Sequence, residues 1–383
     1  MKNNEFSNLI KNCYHLPWSK DDNPNGWIEP TTYCQLKCPG CYRGLDKDGA
    51  VHIHENLEEL KRQVDVFLKT RNVQTISIAG GEPLLYPKTG ELISYIKSLG
   101  LKTKIFTNGI ILNEALLEKL KECGASEFLI HIDKFQPREG YKNKTENELN
   151  DLRNYYCGIF RRVGGVNLGF IQPFSKDNLS DINSILKFCK NNVDIVSLVV
   201  FTLYSDINWS DSIKFKINAD ITVLDVVSAI KNQFSYVPSA YLGSTIDPDS
   251  PTWLFSISVG FKDSELGFFD GKLYRNIELR HYKKTGRYLI TKIGNKISLL
   301  QLFKLINYSC VRKILKNYLV SILKNPSRIR EYVYLQRHLV LRGPKLTNNK
   351  RDLCDGCPDA MFYDGRLVPS CILEEIKLSK RFD

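Results

Sequence analysis

Between Trp27 and Phe201 the chain alternates between short apolar runs and amphipathic helical stretches, and few folds accept that rhythm. The apolar runs are Trp27-Ile28-Glu29-Pro30, Gln74 to Ala79, Lys104-Ile105-Phe106, Phe128 to Ile132, Val166 to Ile171 and Ile195 to Phe201. Between them Leu57, Leu60, Val64 and Phe67, then Leu92, Ile96 and Leu99, then Leu116, Leu120 and Cys123 recur at helical spacing. Gly100 and Gly124 stand where the second and third of these helices would be capped. Two more helices are expected around residues 147–161 and 181–190. Repeated strand–helix units of this kind predict a parallel sheet with crossover helices.

The loop after the first run reads Thr31-Thr32-Tyr33-Cys34-Gln35-Leu36-Lys37-Cys38-Pro39-Gly40-Cys41, with no fourth cysteine nearby. Three thiolates can hold three irons of a 4Fe–4S cube and leave the fourth iron open to an exogenous ligand. A structural cluster or zinc site normally closes itself with a fourth protein ligand, so an open corner points to chemistry. Gly80-Gly81-Glu82-Pro83 follows the second run directly, and Thr107-Asn108-Gly109 follows the third. Glycines there let the backbone approach a ligand and present N–H groups to it. Each of these motifs alone would be an ordinary turn.

In this order the three motifs resemble the radical SAM superfamily. The resemblance covers residues 24 to about 205 and implies an α/β fold, a partial (βα)6 barrel of the TIM type whose strand-end loops carry the chemistry. It implies that Cys34, Cys38 and Cys41 hold a [4Fe–4S] cluster whose free iron takes the amino and carboxylate groups of S-adenosylmethionine (SAM). Carried over residue by residue, it places Gly80, Gly81 and Glu82 at the amino group of SAM, with Pro83, Thr107 and Asn108 also in the cofactor site. An external one-electron donor of the flavodoxin or ferredoxin type would reduce the cluster. Cleavage of SAM would then give a 5′-deoxyadenosyl radical, which takes hydrogen from an unactivated C–H. Many members carry an aromatic residue just before the third cysteine, packed on the adenine; here that position is Gly40, and Tyr42 lies on the other side of Cys41. Either Tyr42 takes over the stacking or the adenine is held differently.

On the fourth apolar run His131 and Asp133 share one face. One reading puts both inside the barrel mouth, near SAM or substrate; the other makes them a hydrogen-bonded pair at a strand end. Cys123, Cys157 and Cys189 fall on helices and are expected in the core. Cys13, near His15, has no assigned role.

A second constellation follows at Cys354-Asp355-Gly356-Cys357, a knuckle whose turn points two sulfurs at one place. Asp364-Gly365 reads as a hairpin turn, and Leu367-Val368 as the returning strand that brings Cys371 to the same metal. The set resembles the auxiliary-cluster modules (SPASM or twitch type) of many radical SAM enzymes, with fewer cysteines than a full SPASM module. It implies an auxiliary cluster, of the [4Fe–4S] kind, on Cys354, Cys357 and Cys371. The fourth position would be open or filled by Cys310, Cys13 or a non-cysteine group. Half of a structural zinc site is the alternative.

The net charge of +12 comes from one stretch: residues 281–350 hold 16 Lys or Arg and one acid, Glu331, while the rest of the chain sums to −3. Leu299, Leu302, Phe303 and Ile306 recur there at helical spacing, as do Val311, Ile314, Leu315, Tyr318 and Ile322. Pro326 interrupts, and Tyr332, Leu335 and Leu339 predict a further helix. Basic amphipathic helices with aromatic residues suit a membrane surface, where each cation contributes on the order of 1 kcal/mol. A solvated basic face and a nucleic-acid footprint are the alternatives. Before this stretch, Asp220 to Ile230 predicts a helix and Trp253 to Val259 a strand. The chain shows no apolar signal segment and no run of about 18 apolar residues. Its eleven cysteines are odd in number and six of them sit in metal spacings, so a reducing cytoplasm and anaerobic chemistry are expected.

The expected organisation is an N-terminal segment (1–23), the barrel (24–205), an α/β elaboration (206–298), a basic amphipathic helical region (299–345) and the auxiliary module (346–383). The expected function is hydrogen abstraction from a lipid or other hydrophobic substrate, leading to carbon–carbon coupling, methylation or oxidation, with peripheral contact to a membrane. In domain order the chain somewhat resembles lipid-modifying radical SAM enzymes of the tetraether-synthase and class D methylase kind. A ribosomal peptide precursor and a tRNA are the other substrate classes.

Overall fold

The computed structural model describes residues 2–46, 50–205, 220–289, 294–347 and 350–379. Residues 206–219 of the expected elaboration and 380–383 of the expected auxiliary module lie outside them. The chain opens with α1 (Lys2–Ile10) and the short strand β1 (Tyr14–His15). The strand–helix rhythm then appears as β2 (Asn25–Thr31), α2 (Leu57–Thr70), β3 (Thr75–Gly80), α3 (Thr89–Ser98), β4 (Lys102–Thr107), α4 (Glu114–Cys123), β5 (Ala125–His131), α5 (Asn150–Val163), β6 (Asn167–Phe174), α6 (Ile182–Asn191) and β7 (Val196–Leu203).

Local chemistry accounts for these elements. The Asn56 side chain accepts from the Glu58 amide to start α2, and Leu57, Leu60, Val64 and Phe67 form its buried stripe. Burying each of those four side chains stabilises the fold by roughly 1.5–3 kcal/mol. Asn113 caps α4 in the same manner, and Gly124 at φ 118° ends it with its amide on the Leu120 and Lys121 carbonyls. Cys157 and Cys189 are fully buried in the main core, as expected, and Cys123 is half-buried at its margin.

β2 to β7 pair in sequence order and in parallel, which makes the six-unit partial barrel. The sheet does not stop there. The next elements are α7 (Val223–Lys231), β8 (Ala240–Leu242), β9 (Trp253–Gly260), β10 (Glu265–Phe268), α8 (Gly271–Thr285), β11 (Lys296–Ile297), α9 (Leu299–Phe303), α10 (Ser309–Lys324) and β12 (Val333–Arg342). β12 adds to β7 in parallel, β9 adds to β12 antiparallel, β8 adds to β9, and β1 from the start of the chain pairs with β8 at the far edge.

β12 corrects the expected helix at Tyr332, Leu335 and Leu339. It is a central strand between β7 and β9 with buried residues on both faces. Apolar positions on both faces of a strand lose the clean alternation of a half-exposed one and imitate helical spacing. The basic stretch is therefore not helical throughout. Two of its arginines lie on this strand and are paired, Arg337 with Glu127 at 2.5 Å and Arg342 with Asp352 at 2.8 Å.

The C-terminal residues form two short hairpins, β13 (Lys345–Thr347) with β14 (Lys350–Asp352) and β15 (Ala360–Tyr363) with β16 (Arg366–Pro369), followed by α11 (Leu373–Ser379). Asp364 and Gly365 both take positive φ, 48° and 70°, the conformation of a two-residue hairpin turn. This segment spans the gap between the sheet edges. At the β2 edge Asn23 and Asn25 donate to the Gly356 and Pro358 carbonyls (2.8 and 3.1 Å); at the β8 edge the Thr245 and Asp355 amides donate to the Leu353 and Gly243 carbonyls (2.9 and 3.0 Å). No helix among the described residues is long and apolar enough to cross a membrane.

Candidate active site

The loop bearing Cys34, Cys38 and Cys41 leaves the C-terminal end of β2 and is clamped by the loops after β3 and β4. The Gly81 and Glu82 amides donate to the Thr31 and Tyr33 carbonyls at 2.9 and 2.7 Å. A Cβ on Gly81 would lie 2.3 Å from the Tyr33 oxygen, so only glycine lets the two loops come this close. From the end of β4, the Asn108 side chain donates to the Gln35 oxygen at 3.0 Å and to Cys34 Sγ at 3.8 Å, and the Leu36 amide faces the same sulfur at 3.5 Å.

Burial raises all three thiols, Cys41 to about 11 and Cys38 well above the ordinary range, and Cys34 adds to the rise at both. The thiols are thus electrostatic neighbours, destabilised as bare anions, with N–H donors at Cys34. That donor set fits an iron–sulfur cluster, which takes up the thiolate charge and accepts N–H bonds at its sulfurs. Among the described residues no trio of His, Cys, Asp or Glu is placed to hold a single metal ion; a cluster distributes its thiolate ligands over several irons.

Of the residues expected at the cofactor, Tyr42, Gly80, Gly81, Thr107, Asn108 and His131 line a cavity together with the three cysteines; Glu82, Pro83 and Asp133 stand behind its wall. Glu82 is fully buried and turned toward backbone, accepting from Thr107 Oγ1 (2.6 Å), the Asn108 amide (2.6 Å) and the Leu84 amide (3.0 Å). Burial pushes its carboxyl up to about 7 despite those bonds. Glu82 thereby joins the ends of β3 and β4 and does not face the cavity. Asp133 accepts from the Phe135 and Gln136 amides and pairs with His131 Nε2 at 2.5 Å. The two side chains thus meet at the strand end, and His131 also lines the cavity. Tyr42 is held rather than loose. Its hydroxyl donates to Glu29 Oε1 (2.9 Å) and accepts from the Gly80 amide (3.2 Å).

Sequence reasoning missed the groups around Tyr42. Glu29, inside β2, also accepts from the Trp27 indole (2.9 Å) and pairs with Arg43 Nε (2.8 Å); Arg43 reaches on to Glu374 of α11 (2.5 Å). A carboxylate within an apolar strand was the available signal, since a buried charge demands a partner.

The second trio lies where the C-terminal segment fills the sheet gap. The Cys357 thiol hydrogen-bonds Cys354, holding Cys354 below and itself well above the thiol range, while burial raises Cys371. Arg71 is 1 % exposed; its Nη2 donates to the Cys357 carbonyl, and its Nε and Nη1 have no hydrogen-bond partner. A buried guanidinium beside Cys357, with Asp359 and Asp21 also in its field, fits a site that holds an anionic cluster. Neither expected spare cysteine belongs here. Cys13 sits against the Leu9 and Pro238 carbonyls (3.6 Å each), and Cys310 beside Asp270 in the separate core under α10. The acid that does adjoin Cys357 and Cys371 is Asp359, which burial raises to about 7.

Cys371 and Asp359 line the same cavity as the first trio. Its volume is about 810 Å³, and its remaining walls include Trp18, Phe106, Trp253, Phe255, Leu305 and Leu339.

Residues 28–189 match the family model described as Radical SAM superfamily. The chain is 27% identical over 210 residues to the 7,8-dihydro-6-hydroxymethylpterin dimethyltransferase of Methanocaldococcus jannaschii, covering 54% of this chain and 41% of that one. It is 30% identical over 183 residues to a probable GTP 3′,8-cyclase of the same organism, covering 45% and 57%. It is 30% identical over 174 residues to the Fe-coproporphyrin III synthase of Methanosarcina barkeri, covering 44% and 42%. The chain thus spans about half the length of the curated relatives it matches. Among solved structures, Streptococcus suis SuiB bound to S-adenosylmethionine superposes with a TM-score of 0.43 and 18% identity, over 60% of this chain and 50% of that one. The chain carries a radical SAM domain at residues 28–189.

Proposed function

We propose that this chain binds SAM and a [4Fe–4S] cluster at Cys34, Cys38 and Cys41 and acts on an unactivated C–H of a lipid or other hydrophobic substrate, beside an auxiliary cluster on Cys354, Cys357 and Cys371. When bound and reduced by a flavodoxin- or ferredoxin-type donor, the first cluster with SAM supplies a 5′-deoxyadenosyl radical. The observation that carries this reading is the shared cavity of about 810 Å³, lined by Cys34, Cys38 and Cys41 and by Cys371. Its size lies in the range of ligand-binding clefts, roughly 300–1,000 Å³, and its aromatic and aliphatic walls suit an apolar molecule and exclude water from a reactive carbon centre.

The chain's residues divide the remaining work. Gly80 and Gly81 present close backbone to SAM. Asn108 fixes the Cys34 end of the loop, Glu82 locks the strand ends on which Gly81 and Asn108 ride, and His131 offers a polar group from the wall. The names of the relatives include a dimethyltransferase and a cyclase; methylation and carbon–carbon coupling stand beside oxidation as outcomes for the substrate radical.

The lipid assignment draws on α9, α10 and the short turn Pro326–Arg330 that follows. Leu300, Phe303, Leu319, Leu323 and Ile329 are exposed, Leu323 by 82 %, among Lys304, Lys313, Lys316 and Lys324. Apolar side chains ringed by cations are the makeup of a surface that rests on anionic lipid. Gln301 of α9 and Leu305 just after it line the cavity, so the same element faces both the proposed membrane and the reaction space.

Anaerobically reconstituted protein, reduced in the presence of SAM, should form 5′-deoxyadenosine, and vesicles containing the host's polar lipids should increase its yield severalfold. Absence of 5′-deoxyadenosine would sink the enzymatic reading. Formation without any response to lipid, but with a response to a peptide or tRNA fraction, would replace the substrate class.

A further inference from the structure

α8 brings one carboxyl into the cavity for which the reaction above has no use. Glu278 is 2 % exposed, lines the cavity, and its Oε1 has no hydrogen-bond partner. The Trp18 indole and the Leu289 amide face it and favour its charged form, yet burial outweighs them and raises it to about 7. The cavity-lining cations are engaged elsewhere. Lys104 and Arg337 both pair with Glu127, at 3.4 and 2.5 Å, and Lys296 stacks on the Tyr332 ring at 3.7 Å. Among the described residues no cation is paired with Glu278.

The groups around this carboxyl are aromatic. Trp18, Tyr274 and Phe255 line the same space; Trp18 packs edge-on to Phe255 with centroids 5.9 Å apart, and Tyr274 leans on Tyr14 at 6.3 Å. The Trp18 indole N–H is turned toward this same carboxyl and has no other partner. A carboxyl without a counter-ion is costly inside an apolar wall. Together with aromatic faces it becomes a receptor for a cationic nitrogen, which restores the favourable charged state of the acid and gains attraction from the rings.

We propose that Glu278, with Trp18 and Tyr274, binds the cationic nitrogen of an otherwise apolar substrate, so that the molecule entering this cavity is an amine-bearing amphiphile. The proposal rests on the cavity being the substrate site and names the class of that substrate. Glu278 is then a specificity-determining residue: it selects and anchors one end of the molecule, and the C–H to be attacked lies along the apolar remainder.

The test compares two probes of equal chain length, n-decylammonium and n-decanol, titrated calorimetrically into the holoprotein with SAM saturating and enough salt to screen surface charge. The wild type should bind decylammonium about tenfold or more tightly than decanol. Glu278→Gln should bring the two probes within about twofold of each other and leave decanol binding unchanged, which also reports that the variant is folded. Equal affinity of the wild type for both probes would overturn the proposal without recourse to any variant, and so would a Glu278→Gln protein that keeps the preference. Formation of 5′-deoxyadenosine by the same preparations is read separately. Its loss would overturn the enzymatic reading and leave the probe contrast to decide the binding site.

Discussion

Cys34, Cys38 and Cys41 belong to one loop, tied by its own backbone carbonyls and by Asn108 to the adjacent strand ends. Cys354, Cys357 and Cys371 come instead from a knuckle and a hairpin tied to both edges of an open sheet. The first trio is local in sequence and its clamp comes from the neighbouring units of the barrel. The second is part of the closure of the whole molecule, so disturbing it disturbs the wall of the cavity as well as a cluster. The difference teaches that a loss of ligand should be tolerated unequally at the two sites.

The largest contrast is expected from single cysteine removals. Cys38→Ala should abolish 5′-deoxyadenosine formation and remove about four irons per chain, the content of one cube. Cys371→Ala should lower iron content by a similar amount and retain SAM cleavage, with the thermal midpoint falling further than in Cys38→Ala. Equal loss of cleavage in both variants would break the comparison.

Next in size is the bridge between the two regions. Arg43 is 5 % exposed at its side chain, Glu29 2 %, and the same guanidinium reaches Glu374 beyond Cys371. Removing one member of a buried pair leaves a charge uncompensated and costs about 3–5 kcal/mol. Arg43→Ala should therefore shift denaturant unfolding by that amount. Glu374→Ala, whose partner keeps Glu29, should shift it by much less.

A smaller effect concerns pH. Burial raises Glu278 from 4.5 to about 7. The folded chain then holds this proton more tightly than the unfolded one, so the stability it contributes is full below about 4.5 and is lost as pH climbs through about 7. Unfolding measurements across that range should show a decline that Glu278→Gln flattens, by on the order of 1–3 kcal/mol. An unchanged slope would show that Glu278 is already satisfied in the folded protein. The smallest effect is at the surface: Leu323→Glu should leave stability nearly unchanged and reduce flotation with anionic vesicles.

Much of the first region was legible because its signals are local. The buried stripe of α2 is the stripe that spacing predicts, and the two glycine motifs fall at strand ends because strand and turn chemistry sit side by side in the chain. The Asp364-Gly365 turn was readable for the same reason. What escaped has its cause at long range. Glu374 finds Arg43 across 331 positions, and neither residue's neighbours announce the other. β12 was misread because one of its faces carries Leu335, Leu339 and Leu341 to the cavity and the other carries Val340 into the main core, a property of the fold and not of the segment. Glu278 sits between Ile277 and Leu279 in a helix whose flanks are polar, and only the placement of α8 over the open sheet makes it an interior acid.

The bridging of the sheet edges by residues 353–358 also sets an order of assembly. During synthesis the strands carrying Cys34, Cys38 and Cys41 emerge, pair and cap their helices well before the closing segment exists, because domains fold from the N-terminal side as the chain is made. Through that interval the first loop faces solvent across an unfilled seam, open to whatever delivers iron and sulfide. Once the knuckle docks on Asn23 and Asn25 the seam is closed, while Cys34, Cys38 and Cys41 keep partial exposure. The closing segment is thus the last part of the cavity wall to be put in place, and the first loop is complete before the cavity is.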